Sequence, residues 1–424
     1  MSRRRFLGLT ATGVAVAGAC SACDGSLAAA ERFAFANESP PADGAIEAYT
    51  TTPSVERGRI LPLHVSSTRR NLRVEIRRVG WPAPTLADSR TVRDASVQGP
   101  GLPWPVTVEF DTTEFRDGLY FAEVRPTGQQ LPVRYVPFVV RDPASVATVA
   151  VHVPFLTYQA YNAWGGASLY EFNSNGRRAA SVGLHRPYDV FDGAGFLFYG
   201  DYQLAMWLDR EGRDVTYLDS QDLDADPDVL RGRRLFVSAF HDEYWTETMR
   251  DRLVGFLATG GNAAFLGANS IYWRVEIDGD RMRCEKAGRT GRFRDVGQPE
   301  SDLLGSWYDS HWFPYGRGAP WRALHTDHWI YVGTGMTDGD AIAGLIGYEW
   351  DQLSPHAPPG TTTVSSTVVE PGRRHEGVVV EHPSGATVVN VGTTYWPRFL
   401  TGGGPFPADG RVQRMTRNVL DRLS

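Results

Sequence analysis

A histidine and a glutamate stand two positions apart at the end of an apolar run, Leu235-Phe-Val-Ser-Ala-Phe-His241-Asp-Glu243, and a second apolar run, Ala263 to Gly267, stops just short of Asn269. Polar side chains thus stand where apolar strands end, the placement expected of an enzyme site. In an open α/β sheet, ligands bind outside the carboxyl ends of the strands, so side chains launched from neighbouring strand ends meet in one crevice. Tyr158, within Thr157-Tyr-Gln-Ala-Tyr161-Asn-Ala-Trp-Gly-Gly, follows another apolar run, and Tyr199 precedes Asp201, the expected N-cap of a helix. Two phenolates with Glu243 would make a hard, anionic oxygen set, which favours a trivalent ion such as Fe(III) over zinc. Metal binding would also explain how a phenol of ordinary pKa about 10 is ionised at neutral pH. Tyr161, Tyr202 and Tyr244 are close enough in sequence to exchange roles with Tyr158 and Tyr199; packing is the expectation for them, as for Trp164, Trp207 and Trp245.

The elements that must carry these residues follow from periodicity. Residues 33–143 alternate in period two, as in Leu72-Arg-Val-Glu-Ile-Arg and Leu119-Tyr-Phe-Ala-Glu-Val, with further strands expected at Ile60 to Val65, Val106 to Phe110 and Val133 to Val140. That pattern predicts an N-terminal β-sandwich of immunoglobulin-like type, used as an accessory domain. From 144 to 424 the grammar changes to strands alternating with helices: Val146 to Val153, a helix from Asp201 to Glu211, Val215 to Leu218, Leu235 to Phe240, and a helix from about Thr246 ended by Gly260-Gly261. This predicts a larger α/β domain on a mostly parallel sheet. Residues from about 275 to 340 have weak periodicity and are expected to be a loop-rich insertion. Strands return between Thr361 and Val391, and a helix ends near Leu423.

The leader Ser2-Arg-Arg-Arg-Phe-Leu7, followed by an apolar stretch from Leu9 to Ala19, resembles a twin-arginine-type export signal over residues 1–32 and is too short to span a bilayer stably. Ala17-Gly-Ala-Cys20 resembles a lipoprotein cleavage site, which makes Cys20 the candidate for a membrane tether and Cys23 the weaker one. Only Cys284 would then remain, so no disulfide framework is expected. The net charge of -6, of mixed sign and without a basic face, argues against nucleic acid as a partner. A His-Glu-x-x-His helix, a Gly-x-Ser-x-Gly elbow and a phosphate loop are all missing. Gly333-Thr-Gly335 reads as a turn, and His325-Thr-Asp-His328 lacks a nearby third ligand.

Four stretches, Thr157-Tyr-Gln-Ala-Tyr-Asn, Phe240-His-Asp-Glu-Tyr-Trp245, Gly260-Gly-Asn-Ala-Ala-Phe-Leu-Gly-Ala-Asn269 and Gly347-Tyr-Glu-Trp-Asp351, together resemble the N,N-dimethylformamidase large (beta) subunit family, and the likeness covers nearly all of residues 33–424. The resemblance implies an exported hydrolase of a C–N bond in a small amide, on a fold related to class I glutamine amidotransferases. It implies a mononuclear Fe(III) held by Tyr158, Tyr199 and Glu243, with the catalytic residues His241 and Asn269 either around those ligands or against the substrate and Glu349 as a further catalytic carboxylate; the match at Glu349 is the loosest. That family pairs its large chain with a small subunit and carries a lectin-like domain, and this chain is shorter, so the substrate, the need for a second subunit and homo-oligomerisation stay open. Two other readings stand beside it. One is a non-catalytic envelope protein that binds carbohydrate through loops around Trp307, Trp312 and Trp321. The other is a zinc hydrolase that uses His241, Glu243 and one of His311, His325 or His328.

Overall fold

The computed structural model describes residues 45–424, apart from positions 100, 287 and 289. The expected export signal, Cys20 and Cys23 lie outside the described residues. The chain is a mixed α/β molecule, rich in strands and built on several sheets. No described helix is long and apolar enough to cross a membrane.

Two sheets form first along the chain. Ile46–Tyr49, Ile60–Ser67 and Val108–Asp111 make a three-stranded antiparallel sheet, and Ser54–Glu56, Arg134–Arg141, Gly118–Pro126, Leu72–Arg78 and Thr85–Val92, in that spatial order, make a five-stranded one. Leu61, Leu63, Val65 and Phe110 from the first meet Val74, Ile76, Ala122 and Phe138 from the second in one apolar core. The period-two alternation has a second outcome. Tyr120, Ala122 and Val124 face that core, whereas Leu119 and Phe121 point to the opposite face and join the main core of the molecule.

The main sheet has seven strands: β1 (Val149–Val153), β2 (Val215–Asp219), β3 (Leu235–His241), β4 (Asn262–Ala268), β5 (Thr361–Glu370), β6 (Arg373–Glu381) and β7 (Thr387–Asn390). Their spatial order is β2-β1-β3-β4-β7-β6-β5; the first five are parallel and the last two pairings antiparallel. The chain runs from β1 to one neighbour, β2, and then crosses back to the other, β3. That reversal opens a crevice at the carboxyl ends of β1 and β3, where a doubly wound sheet offers a ligand site. Helices α1 (Phe155–Tyr161), α2 (Asp201–Arg210), α3 (Ser220–Ala225), α4 (Glu247–Ala258) and α5 (Gly410–Leu423) pack around the sheet. Thr246 caps α4 by accepting from Met249 N at 3.1 Å.

Residues 275–340 hold more order than their sequence suggests. Strands Trp273–Asp278, Arg281–Arg283, Ser306–Trp312 and Ala319–Arg322 pair in small sheets. A register shift between Tyr308 and Trp312 breaks the alternation that would have announced one of them.

One buried histidine makes acid stability testable. His375 on β6 is fully buried, with Nε2 at 3.0 Å from Val391 O, and burial lowers its pKa to about 4. The folded pKa lies below the unfolded value, so this contribution is complete above pH 6.5 and is lost as pH falls toward 4, where the unfolded chain binds the extra proton. The fall is on the order of 3 kcal/mol across that window. Urea unfolding of His375→Gln and wild type between pH 4 and 7 is expected to show a flatter profile for the variant.

Candidate functional site

The crevice is assembled from four chain segments. β3 ends at His241; the His241 and Glu243 side chains both reach the crevice, whereas Asp242 is bonded to Ser238 and His152 inside the fold. Phe240 has a left-handed φ of 53°, which turns the strand end toward the crevice. Gly200 and Gly267 make room for it, since a Cβ on either would lie 2.3 Å from Phe240 Cβ or 2.4 Å from Phe240 O. Just beyond β4, Asn269 is also left-handed, with φ 55°. Glu349 opens the strand Glu349–Leu353, which pairs with Ser306–Trp312.

Glu243, His241, Asn269 and Glu349 are all buried and come together. His241 Nε2 lies 2.9 Å from Glu349 Oε2, and its Nδ1 lies 3.8 Å from Glu243 Oε2. Asn269 donates from Nδ2 to Glu349 Oε2 at 2.9 Å, and its backbone N donates to Asp351 Oδ1 at 2.9 Å. Tyr161 OH donates to Glu243 Oε2 at 2.8 Å, and Tyr170 OH lies 2.9 Å from the same oxygen and 3.0 Å from Oε1. The rings of Tyr161 and Tyr170 stack at 4.3 Å.

The other two tyrosines singled out from sequence sit elsewhere in the wall. Tyr158 OH donates to Asp201 Oδ2 at 2.6 Å, and Tyr199 packs against Phe191, Phe240 and Tyr315. Asp201 is the first residue of α2, with Gly200 at the cap. Phe196 stands between the two groups, with ring contacts to Tyr158, Tyr161 and Tyr199.

Low polarity dominates the electrostatics. Burial raises the Glu243 pKa, opposed by the positive charges of His241 and Lys286. Burial would lower His241, but the charge and contact of Glu349, with Glu243 and Asp242 behind it, overcome this and hold the imidazolium to about 9. Burial also lifts Asp351 to about 7. The phenols of Tyr161 and Tyr170 are pushed well above their ordinary range by burial and by the Glu243 charge. Neither phenol can ionise here unless a cation compensates.

Those observations bear on whether a ferric ion suits the site. Three oxygen donors of the hard type, the Glu243 carboxylate and the Tyr161 and Tyr170 hydroxyls, converge on one point, and a trivalent ion would offset the negative charge of ionised phenols there. Among the described residues, no group of three or more His, Cys, Asp or Glu side chains is arranged to hold a metal ion. His325 Nδ1 is engaged with Thr363 O and His328 accepts from Ile330 N. Of the three loop tryptophans, Trp321 is wholly buried against Trp396, Trp307 lies under the Arg294 guanidinium, and Trp312 alone is widely exposed, at 61%.

The profile of the family described as N,N-dimethylformamidase beta subunit-like, C-terminal, matches residues 73–409. The chain belongs to that family. The N,N-dimethylformamidase beta subunit of Paracoccus aminophilus is 27% identical over 323 residues, covering 61% of this chain and 42% of that protein. Its counterpart from an Alcaligenes species is 25% identical over 345 residues, covering 65% and 45%. This chain therefore spans less than half the length of these two relatives. Among solved structures, a putative ThuA-like protein from Bacteroides uniformis aligns at 13% identity over 51% of this chain and 83% of that one, with a TM-score of 0.33, too low to carry an argument about fold.

Sequence reasoning did not single out Tyr170, Tyr308 or Tyr348. Tyr308 and Tyr348 lie beside Glu349 and Glu243, and burial, followed by the charges of those two carboxylates, raises both phenols. Tyr170 lies in an irregular segment with no period to place it. The one usable signal was its position nine residues after Tyr161, in a stretch crowded with aromatic residues.

Proposed function

We propose that this protein hydrolyses the C–N bond of a small amide, with a mononuclear Fe(III) held by Glu243, Tyr161 and Tyr170. The observation that carries the reading is the convergence of two partly buried phenols on the buried Glu243 carboxylate, next to the His241–Glu349–Asn269 cluster. Tyr158 and Tyr199, expected from the resemblance to be ligands, become wall residues in this reading. The activity is that named for the relatives, and family membership supports it.

When bound, the ion would lower the pKa of water and polarise the amide carbonyl. The remaining steps belong to the side chains. Asn269 spends one N–H on Glu349, and the second can donate to the oxyanion that develops on the carbonyl oxygen. Glu349 takes a proton from the attacking water as the new C–O bond forms. His241, positively charged at neutral pH, gives its proton to the amine nitrogen as the C–N bond breaks, and Glu349 returns a proton to it across their 2.9 Å contact. Proton donation by His241 requires the imidazolium, so turnover is expected to fall as pH rises through about 9, and a pH–rate profile without an alkaline limb would contradict the assignment.

The same reading takes the chain to be exported on its twin-arginine-type leader, with Cys20 as the lipidation candidate, and takes the sheets to be immunoglobulin-like and amidotransferase-like in arrangement. The deciding experiment is metal analysis and visible absorption of the purified protein, followed by assay with N,N-dimethylformamide. One iron per chain, a ferric-tyrosinate band and amine release are expected. A protein that stays colourless after incubation with iron would overturn the metal assignment.

A further inference from the structure

Beneath the crevice, on the side of the backbone that Asp242 faces, lies a fully buried polar cluster. Asp242 Oδ2 accepts from Ser238 Oγ at 2.7 Å and pairs with His152 Nδ1 at 2.9 Å, and Oδ1 accepts from Trp245 Nε1 at 2.7 Å. His152 Nε2 in turn meets Ser220 Oγ at 3.2 Å. Serine, histidine and aspartate here have the connectivity of a nucleophilic triad, but all three are wholly buried. Ser220 cannot meet a substrate without unpacking the sheet, so the cluster must act on what it holds.

What it holds is the tripeptide His241-Asp242-Glu243. The upper side of the same segment is gripped by α1. Thr157 Oγ1 accepts both from Glu243 N at 3.1 Å and from Tyr244 N at 3.3 Å, and one turn later on that helix Tyr161 donates to the Glu243 carboxylate. A single hydroxyl thus satisfies two buried backbone donors and ties the helix that carries Tyr161 to the residue Tyr161 must meet. We infer that Thr157 and Asp242 are positioning residues, which clamp the tripeptide from opposite sides so that His241 and Glu243 face the reacting amide together; this rests on the proposed hydrolytic role of the site. Neither touches the reacting atoms.

The test separates the clamp from the reaction. Hydrogen exchange, followed by mass spectrometry on peptides spanning residues 241–246, is measured in wild type, Thr157→Val, Thr157→Ser and Asp242→Asn. Valine keeps the volume and removes the acceptor, and serine keeps the acceptor. Thr157→Val and Asp242→Asn are expected to accelerate exchange at Glu243 and Tyr244 by about tenfold or more, with β4 unchanged, and Thr157→Ser to restore the wild-type rate. With N,N-dimethylformamide, Thr157→Val is expected to lower kcat by about tenfold or more while KM moves less than about threefold, the split expected when only the transition-state geometry suffers. Unchanged exchange in Thr157→Val, acceleration spread evenly over the whole sheet, or a serine variant that rescues nothing would each overturn the inference. If Asp242→Asn fails to fold, the Thr157 pair decides. Wild-type protein without amide hydrolysis would defeat the proposed activity instead, and the exchange rates would still report whether these side chains hold the tripeptide.

Discussion

Glu243→Ala is expected to abolish iron uptake and to lower kcat/KM by at least about a thousandfold, equivalent to about 4 kcal/mol of lost transition-state stabilisation. The carboxylate is where both phenols end: Tyr161 and Tyr170 donate to it at 2.8 to 3.0 Å, and the His241 Nδ1 stands 3.8 Å away. Removing it takes the shared acceptor from two partly buried hydroxyls and takes away an anionic donor, so the deficit has both a metal and a hydrogen-bond component. The comparison that gives the experiment its force is Tyr158→Phe. Its hydroxyl is spent on Asp201, and that variant is expected to retain iron and most of its turnover, whereas Tyr161→Phe and Tyr170→Phe weaken the visible band. Full iron content and full activity in Glu243→Ala would sink the assignment of the centre.

Gly267→Ala is expected to be strongly destabilising. Gly267 lies opposite Phe240 in the β3–β4 ladder, and an added Cβ would meet Phe240 O at 2.4 Å, backbone that cannot swing aside as a side chain could. Relief requires the two central strands to separate just below His241. Overpacking of this kind costs about 3 kcal/mol, and a fall in Tm of roughly 5 °C with loss of activity is expected by calorimetry and assay. Gly255→Ala is the control of opposite sign: it sits inside α4 with nothing within 4 Å of the added carbon, and should stabilise by up to about 1 kcal/mol. Equal Tm values for the two variants would refute the argument.

Much of the scaffold was legible because its cause is local. Alternation predicted strands at Leu72 to Arg77 and Leu119 to Val124, each within an observed strand, and continuous apolar runs predicted Leu235 to Phe240 and Ala263 to Gly267, the bulk of β3 and β4, since strands buried on both faces have no polar side to show. From that, the meeting of His241, Glu243 and Asn269 follows by topology, and Glu349 was reached only by resemblance. The hydroxyl partners of Glu243 were not legible. Tyr158 and Tyr161 lie three residues apart on one short helix, and which of them faces the carboxylate depends on how α1 is rotated against β3, a tertiary choice that Thr157 settles by accepting from Glu243 N. The loop that brings in Tyr170 has no period at all. Trp321 was expected in a binding loop for a similar reason: its neighbours look like surface, yet its ring closes over Trp396.

The five-stranded sheet near the N-terminus buries apolar side chains on both of its faces. One side is sealed by the three-stranded sheet, and the other gives Leu119, Phe121, Tyr135 and Val139 to the core that also contains Leu204, Trp207 and Tyr217. Asp117 accepts from Thr216 Oγ1 and Tyr217 N, and Asp209 receives Arg78 and Trp81 N, so the seam is stitched with hydrogen bonds as well. A chain cut near Pro143 would therefore leave two raw surfaces rather than a module and a minimal catalyst. Damage to this distant seam should reach the crevice not by a signalling path but by shared melting, since the strands that present His241 cannot stay folded after the sheet behind them has gone.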